Sequence, residues 1–256
     1  MKIRILGSGT SSGVPRIGND WGACDPNEPR NRRMRVSAIV STATTRILID
    51  TGPDVREQLL AAGIAAVDAI IWTHDHADHT HGIDDVRQIY HVMRKPVPGF
   101  ARPATLDALT SRFGYAFTGQ TGYPPTIAAA ELPDEMMIGD IRLSVTDQPH
   151  GEIVSAGLRF EADGGSIGYA TDFNVMTQEM RRMYQYLDVW IVDTLRRAPH
   201  PSHPHLDEAL RWIAELGPKQ AALTHLDQSM DYASLLAELP AGVVPAYDGL
   251  EYEVGR

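Results

Sequence analysis

Four short apolar runs of this chain each end in a residue of a type that binds metals. The runs are AIIWTH, IRLSVTDQPH, SIGYATD and AALTH, and they end in His74, His150, Asp172 and His225. Short apolar runs are typical of buried strands, and binding residues gather at the carboxyl ends of strands because loops can converge there on a rigid frame. We therefore predict a sheet-based fold in which four strand ends build one polar cage.

The segment THDHADHTHG, residues 73–82, adds further donors beside the first of these strands. In an extended chain His74, His76 and Asp78 share one face, and a turn after Asp78 lets His79 approach from another side. A lone histidine or aspartate at a strand end is more often a cap or a surface residue, but an accidental set in this order is far less expected. One ion needs only about four to six donors. The seven donors of this chain therefore predict two divalent ions: His74, His76, Asp78, His79, His150, Asp172 and His225.

The apolar runs alternate with helical patterns, which predicts a layered α/β architecture. We expect strands at residues 2–6, 37–42, 46–50, 69–73, 141–147, 155–162, 166–172, 189–193 and 220–224. Helices are expected at 53–63, from near Ile83, at 177–187, at 206–217 and near 231–239, with two short strands after the last. Residues 94–125 are rich in Pro and Gly, and we interpret them as an excursion from the core that could form a lid.

Composition limits the function classes. The chain of 256 residues has 33 Asp and Glu against 23 Lys and Arg, a net charge of −10, which argues against a broad surface for a nucleic-acid polymer. Its one cysteine, Cys24, excludes an intrachain disulfide and favours a reducing compartment. No apolar run has the length of a signal peptide or of a membrane span. We expect a cytoplasmic protein without a membrane partner.

In these motifs the chain resembles the metallo-β-lactamase superfamily. HDHADH, His150, Asp172 and His225 match the metal-ligand motifs of that superfamily in order, and the resemblance covers essentially the whole chain. It implies a single domain over 1–256, an αββα sandwich of two mixed β-sheets flanked by helices. It also implies that Asp172 bridges the two ions and that Asp50 supports the ligands from behind. One ion would be held by His74, His76 and His150, and the other by Asp78, His79 and His225.

Four narrower motifs resemble the phosphodiesterases of the carbon–phosphorus lyase pathway, which open a ribose cyclic phosphate. They are GSGTSSGVP (7–15), EPRNRR (28–33), THGIDDVR (80–87) and HPSHPHL (200–206). The first is shared more loosely with tRNA 3′-processing endonucleases. By the resemblance His203 contacts phosphate and donates the proton, in preference to His205 and His200. The alternative is that HPSHPHL is a surface loop ordered by its prolines.

The chain departs from that pattern at one place. Relatives of this kind usually hold a structural zinc with three cysteines in the loop after GVP and a histidine three residues after the last metal ligand. Those positions are Asn19, Trp21, Cys24 and Gln228 here, so only one of four ligands remains. We therefore predict no structural zinc.

These features lead to one preferred function and two alternatives. The preferred one is a phosphodiesterase with two divalent ions that hydrolyses a small cyclic phosphate or nucleotide-like ester, by attack of a metal-bound hydroxide. Asp78 and His203 would be catalytic, His205 would be a second candidate, and both histidines would contact substrate. Imidazole and carboxylate ligands accept zinc or manganese first, and also iron or nickel. The alternatives are a thioester or lactone hydrolase and a non-catalytic dimetal nucleotide-binding protein. A homodimer is compatible with all three.

Overall fold

Two β-sheets face each other in the computed structural model, which describes residues 1–255. In chain order the strands are β1 (Lys2–Gly7), β2 (Ser37–Ser41), β3 (Arg46–Ile49), β4 (Ala69–Trp72), β5 (Val97–Ala101), β6 (Ile127–Glu131), β7 (Glu135–Ile138), β8 (Ile141–His150), β9 (Ile153–Ala162), β10 (Gly165–Ala170), β11 (Val189–Asp193), β12 (Gln220–Thr224), β13 (Val243–Pro245) and β14 (Glu251–Glu253). The helices are α1 (Val55–Ala62), α2 (Ala77–Thr80), α3 (Val86–Met93), α4 (Pro103–Thr118), α5 (Gln178–Tyr184), α6 (Leu206–Leu216) and α7 (Tyr232–Glu238).

Each sheet is mixed, as the sequence predicts. Within the described residues each has seven strands, in the orders β14-β1-β2-β3-β4-β5-β6 and β13-β12-β11-β10-β9-β8-β7. The strands from β14 to β3 pair antiparallel and those from β3 to β6 parallel. The second sheet repeats this, with antiparallel pairing from β7 to β10 and parallel pairing from β10 to β13. Parallel strands β4, β10 and β12 therefore present their carboxyl ends to loops at the edge where a site can form.

The alternation of side chains along each strand explains the layers. Ile47, Ile49 and Ile71 lie in the buried cluster between the sheets, whereas Leu48 and Ile70 lie in the cluster under α1, α3 and α4. A third cluster packs α5, α6 and α7 on the outer face of the second sheet. Successive residues of a strand point to opposite faces, so a run without polar residues must be covered on both sides. This confirms the predicted αββα sandwich.

The interpretation of residues 94–125 as an excursion from the core was wrong. Residues 97–101 form β5, which pairs with β4 on one side and β6 on the other, and α4 packs on the same sheet. Pro98 and Gly99 made this strand look like a loop. Gly99 has a packing reason, because a Cβ atom there would lie 2.6 Å from the Trp72 ring.

A buried arginine fastens the loop before β2. Arg33 is 2% exposed, and its Nη2 donates to the carbonyl of Met230 at 2.7 Å and to Asn31 Oδ1 at 3.2 Å. Its Nη1 donates to the carbonyl of Asp227 at 3.4 Å and contacts Cys24 Sγ at 3.8 Å. Among the described residues Cys24 belongs to none of the groups that could hold a metal. A guanidinium therefore links this loop to the segment that follows His225.

None of the helices in residues 1–255 combines the length and apolar character needed to cross a bilayer.

Candidate metal centre

One group of possible ligands joins the two sheets at the carboxyl ends of their strands. His74 follows β4, His76 is the residue before α2, His150 ends β8 and Asp172 follows β10. Asp172 Oδ1 lies 3.8 Å from His74 Nε2 and 3.7 Å from His150 Nε2, and His150 Nε2 lies 3.4 Å from His76 Nδ1. These four side chains could share one ion.

A second group lies against the first. The short helix α2 turns the chain so that Asp78 and His79 face the site, and His225 arrives from the end of β12. Asp78 Oδ2 is 3.4 Å from His79 Nε2 and 3.5 Å from His225 Nε2. Asp172 is 3.2 Å from His79 Nε2 through Oδ2 and 3.6 Å from His225 Nε2 through Oδ1. The Asp172 carboxylate therefore stands between the two groups.

The backbone bends sharply at three residues of this site. Asp50, Asp172 and His225 have φ values of 62°, 58° and 60°, although none is glycine. Asp50 and His225 directly follow a strand, and Asp172 is the second residue after one. This left-handed conformation costs on the order of 1 kcal/mol and is concentrated at functional sites. The surrounding structure must therefore hold all three residues in place.

Asp50 contacts the nitrogen of His79 that faces away from the other candidate ligands. It is fully buried, its Oδ2 lies 2.7 Å from His79 Nδ1, and its Oδ1 accepts the backbone N–H of Thr73 at 2.8 Å. Burial raises the pKa of Asp50, and the neighbouring His79 opposes that rise. Because Nδ1 of His79 is engaged by Asp50, its Nε2 is the nitrogen turned towards Asp78 and Asp172.

Two further contacts orient the rings on the second sheet. His150 Nδ1 lies 2.9 Å from the carbonyl of Ser202, so it donates there and leaves Nε2 for the site. His203 Nδ1 lies 2.7 Å from Asp193 Oδ2, which also accepts the backbone N–H of Asp172 at 2.9 Å. The rings of His203 and His225 are stacked, with centroids 4.8 Å apart. His203 is therefore fixed beside the ligand group by a contact that occupies only one of its nitrogens.

The unpaired polar atoms of the site fit a divalent metal. The buried Nε2 atoms of His74, His79 and His225 have no hydrogen-bond partner. A buried polar group without a partner costs about 1–3 kcal/mol, so several in one place indicate a missing ligand. Burial holds the pKa of His74 well below its usual range, which keeps its imidazole neutral, as metal binding requires.

The carboxylates favour a cation as well. Burial alone would raise the pKa of Asp172, but the surrounding His225 and His79 hold it well below its usual range. Burial alone would lower the pKa of His225, but the carboxylates of Asp172, Asp78 and Asp193 raise it to about 9. The site therefore stabilises positive charge at its centre, and its nitrogen and oxygen donors suit a divalent ion.

The remaining predicted residue, His205, lies outside these groups. Its Nδ1 is 2.8 Å from Glu208 Oε2, and it is the residue before α6. Three contacts were missed by the sequence interpretation: Thr73 and Ser202 hold site residues, and Arg112 of α4 donates to the carbonyl and carboxylate of Asp75. No spacing signal marks them, because backbone atoms and a distant helix supply the partners.

Comparisons with known proteins give one family match and several related proteins. Residues 45–226 match a protein-family model whose description is β-lactamase superfamily domain. A solved structure of a new diphosphatase from the PhnP family is 35% identical with a TM-score of 0.89, covering 98% of this chain and 97% of that one. These matches include the loops that carry the candidate ligands.

Two curated relatives are longer than this chain. An octanoyltransferase from Porphyromonas gingivalis (strain ATCC BAA-308 / W83) is 32% identical over 258 residues, covering 98% of this chain and 51% of that protein. A ribonuclease Z from Mycolicibacterium gilvum (strain PYR-GCK) is 28% identical over 166 residues, covering 56% of this chain and 57% of that protein. The matched parts therefore span little more than half of either relative.

Proposed function

Because the chain belongs to the metallo-β-lactamase superfamily of metal-dependent hydrolases, we propose that it is a phosphodiesterase acting on a small cyclic phosphate or a nucleotide-like phosphodiester. The observation that carries the proposal is His203, which Asp193 holds beside the candidate ligands with one ring nitrogen still available. A thioester or lactone has no charged phosphoryl oxygen for such a histidine to contact.

We assign the ligands to two ions. His74, His76 and His150 would hold one, Asp78, His79 and His225 the other, and Asp172 would bridge them, which accounts for every unpaired Nε2 atom in the site. Zinc or manganese suits these donors best, and iron or nickel is also accepted. Such ions supply the acidity that makes water a nucleophile at neutral pH and positive charge that offsets the phosphate.

The side chains of this protein supply orientation and proton transfer. With Nδ1 of His203 engaged by Asp193, Nε2 is the atom left to donate a proton to the leaving oxygen. The His203 side chain is 11% exposed, so the ring is reachable from solvent but largely enclosed. His205, paired with Glu208, is not proposed for this step.

The experiment that tests the proposal is phosphorus NMR of protein incubated with manganese or zinc. The substrates are ribose 1,2-cyclic phosphate and nucleoside 2′,3′-cyclic phosphates, with His76→Ala and His203→Ala variants in parallel. We expect ring opening by the parent, none by His76→Ala, and a rate lower by about 10²–10⁴ in His203→Ala with its metal content retained. No turnover by parent protein that holds two ions would refute the proposal and favour thioester hydrolysis or nucleotide binding.

A second candidate is hydrolysis of a diphosphate bond. One relative that matches this chain over almost its full length is described as a diphosphatase. A phosphoanhydride presents the same phosphoryl oxygens to the site, so the same residues would serve. Nucleoside diphosphate esters in the same NMR assay separate the two: a faster reaction than with any cyclic ester would move the proposal to diphosphates. The octanoyl transfer named for one relative is not carried over, because this chain matches half of that protein.

A further inference from the structure

A cavity of about 430 Å³ lies between α3 and the end of α4, apart from the ligand groups. Pockets for small molecules have volumes of about 300–1,000 Å³, so this one has room for a single small ring system. Its walls carry Tyr90 and Arg87 from α3, Tyr115 from α4 and Tyr123 from the turn that follows α4. Neither the proposed chemistry nor the packing of the core uses these side chains.

Two of the three tyrosines of this cavity are exposed and belong to none of the buried clusters. Tyr115 is 40% exposed and Tyr123 is 70% exposed, whereas Leu109 and Ala116 supply the contacts of α4 with the sheet. Flat aromatic faces at the rim of a cavity suit stacking on a planar ring. The amide side chains of Gln88 and Gln120, also on the walls, can exchange hydrogen bonds with the polar edge of such a ring.

Both walls of the cavity lead along the chain to residues next to the candidate ligands. On α4, Arg112 donates to Asp75, which lies between His74 and His76 in the chain, and the Phe113 ring lies 5.6 Å from the His81 ring. Tyr115 follows Arg112 by three residues, just beyond a kink of α4 at Phe113, so the cavity wall begins next to these contacts.

On the other wall, Asp84 lies five residues after His79, at the start of the segment that leads into α3. Both walls of the cavity are therefore close in the chain to residues of the metal centre.

We propose that the cavity between α3 and α4 binds the planar heterocycle, such as a nucleobase, of a phosphate ester whose phosphate lies at the metal centre. The inference rests on the proposed function, and it names the substrate class as nucleotide-like in place of a bare sugar phosphate. Tyr115 and Tyr123 stack on the ring, and the wall amides contact its edge.

The experiment compares two substrates and one ligand across matched variants. The variants are Tyr115→Ala and Tyr123→Ala, with Tyr115→Phe and Tyr123→Phe to restore the ring. Tyr186→Ala is the control, because Tyr186 is 78% exposed and lies outside the cavity. For each metal-loaded protein we would measure KM for nucleoside 2′,3′-cyclic phosphates, kcat/KM for ribose 1,2-cyclic phosphate, and calorimetric binding of adenosine.

We expect each alanine variant to raise KM for the nucleoside esters at least about tenfold, and to weaken adenosine binding by a similar factor. Hydrolysis of the base-free ester should not change. The phenylalanine variants and Tyr186→Ala should behave as the parent. An unchanged KM for the nucleoside esters, or a loss of kcat/KM for ribose 1,2-cyclic phosphate of the same size as the rise in that KM, would overturn the proposal.

The adenosine arm separates this inference from the proposed function. Binding that depends on Tyr115 in a protein that hydrolyses no phosphate ester would refute the phosphodiesterase and support the heterocycle site. Hydrolysis without adenosine binding, and with KM unchanged in the alanine variants, would refute the heterocycle site and leave the phosphodiesterase standing.

Discussion

Asp193 Oδ2 lies 2.7 Å from His203 Nδ1 and 2.9 Å from the backbone nitrogen of Asp172. One buried carboxylate oxygen therefore fixes both the proposed proton donor and the ligand at the middle of the site. Neither contact needs Asp193 to bind a metal, and both depend on it as an acceptor. The carboxylate sets which nitrogen of His203 carries the available proton.

Replacing Asp193 by Asn tests this relationship. The amide keeps the size of the side chain but not its charge, so the tautomer of His203 is no longer fixed and its imidazolium form is less stabilised. We expect kcat to fall by about 10–100-fold with the metal content retained. Steady-state kinetics and metal analysis of Asp193→Asn would check it. Asp188→Asn is the control, because Asp188 precedes the same strand and binds Ser166 and Lys219. Equal kcat values in the two variants would contradict the assignment.

Asp50→Ala should weaken metal binding without removing a ligand. His79 would lose the partner that lies 2.7 Å from its Nδ1, and with it the orientation of Nε2. We expect affinity for zinc to fall by about 10–100-fold, measured by competition with a chromophoric chelator. Asp54→Ala is a suitable comparison, since Asp54 is near in sequence but pairs with Arg35. An unchanged zinc affinity in Asp50→Ala would exclude the supporting role.

Arg33→Met should destabilise the fold through the loop that follows His225. The variant leaves the buried carbonyl of Met230 and the half-buried carbonyl of Asp227 without their donor. We expect the free energy of unfolding to fall by roughly 2–3 kcal/mol in urea titrations. Arg32→Met serves as the matched control, because the neighbouring Arg32 is exposed and should cost under about 0.5 kcal/mol. Similar losses in both variants would show that burial of the guanidinium is unimportant.

Asp248 should make stability depend on pH. Burial raises the pKa of Asp248 to about 6, and the N–H groups of Met34 and Ser8 oppose that rise only in part. The folded-state pKa is above the unfolded value, so the contribution of this group is fully present below about pH 4 and is lost as pH rises through 6.

Raising the pKa of Asp248 from 3.8 to about 6 corresponds to a free-energy difference of about 3 kcal/mol. We therefore expect the unfolding free energy of the metal-free parent, relative to Asp248→Asn, to decline by up to that amount between pH 4 and pH 7. Urea titrations at several pH values would measure this difference. A constant difference across the range would contradict the raised pKa.

Much of the fold was predictable because its strands are covered on both faces and read as short apolar runs. The runs ending at Trp72 and Thr224 lie in β4 and β12, and the ligand-type residues after them converge as expected from the carboxyl ends of parallel strands. Residues 97–101 could not be predicted in this way. Gly99 is required there because the Trp72 ring of a neighbouring strand leaves no room for a side chain, and the sequence alone does not show that contact.

The supports of the site were harder to predict than its candidate ligands. The contact of His150 with Ser202 uses a backbone carbonyl, which any residue could supply. The burial of Arg33 depends on carbonyls almost 200 positions away in the chain. The left-handed backbone conformation at His225 could not be predicted either, because glycine, and not histidine, is the residue type that usually indicates it.

The candidate ligands are divided between the two sheets. His74, His76, Asp78 and His79 follow a strand of the first sheet, whereas His150, Asp172 and His225 belong to the second. An ion held by residues of both groups would cross-link the two sheets, because separating the sheets would break its coordination. Its affinity would then add to the stability of the docked sheets and not to either sheet alone. Loss of metal would weaken the packing between the two sheets before it unfolded either sheet.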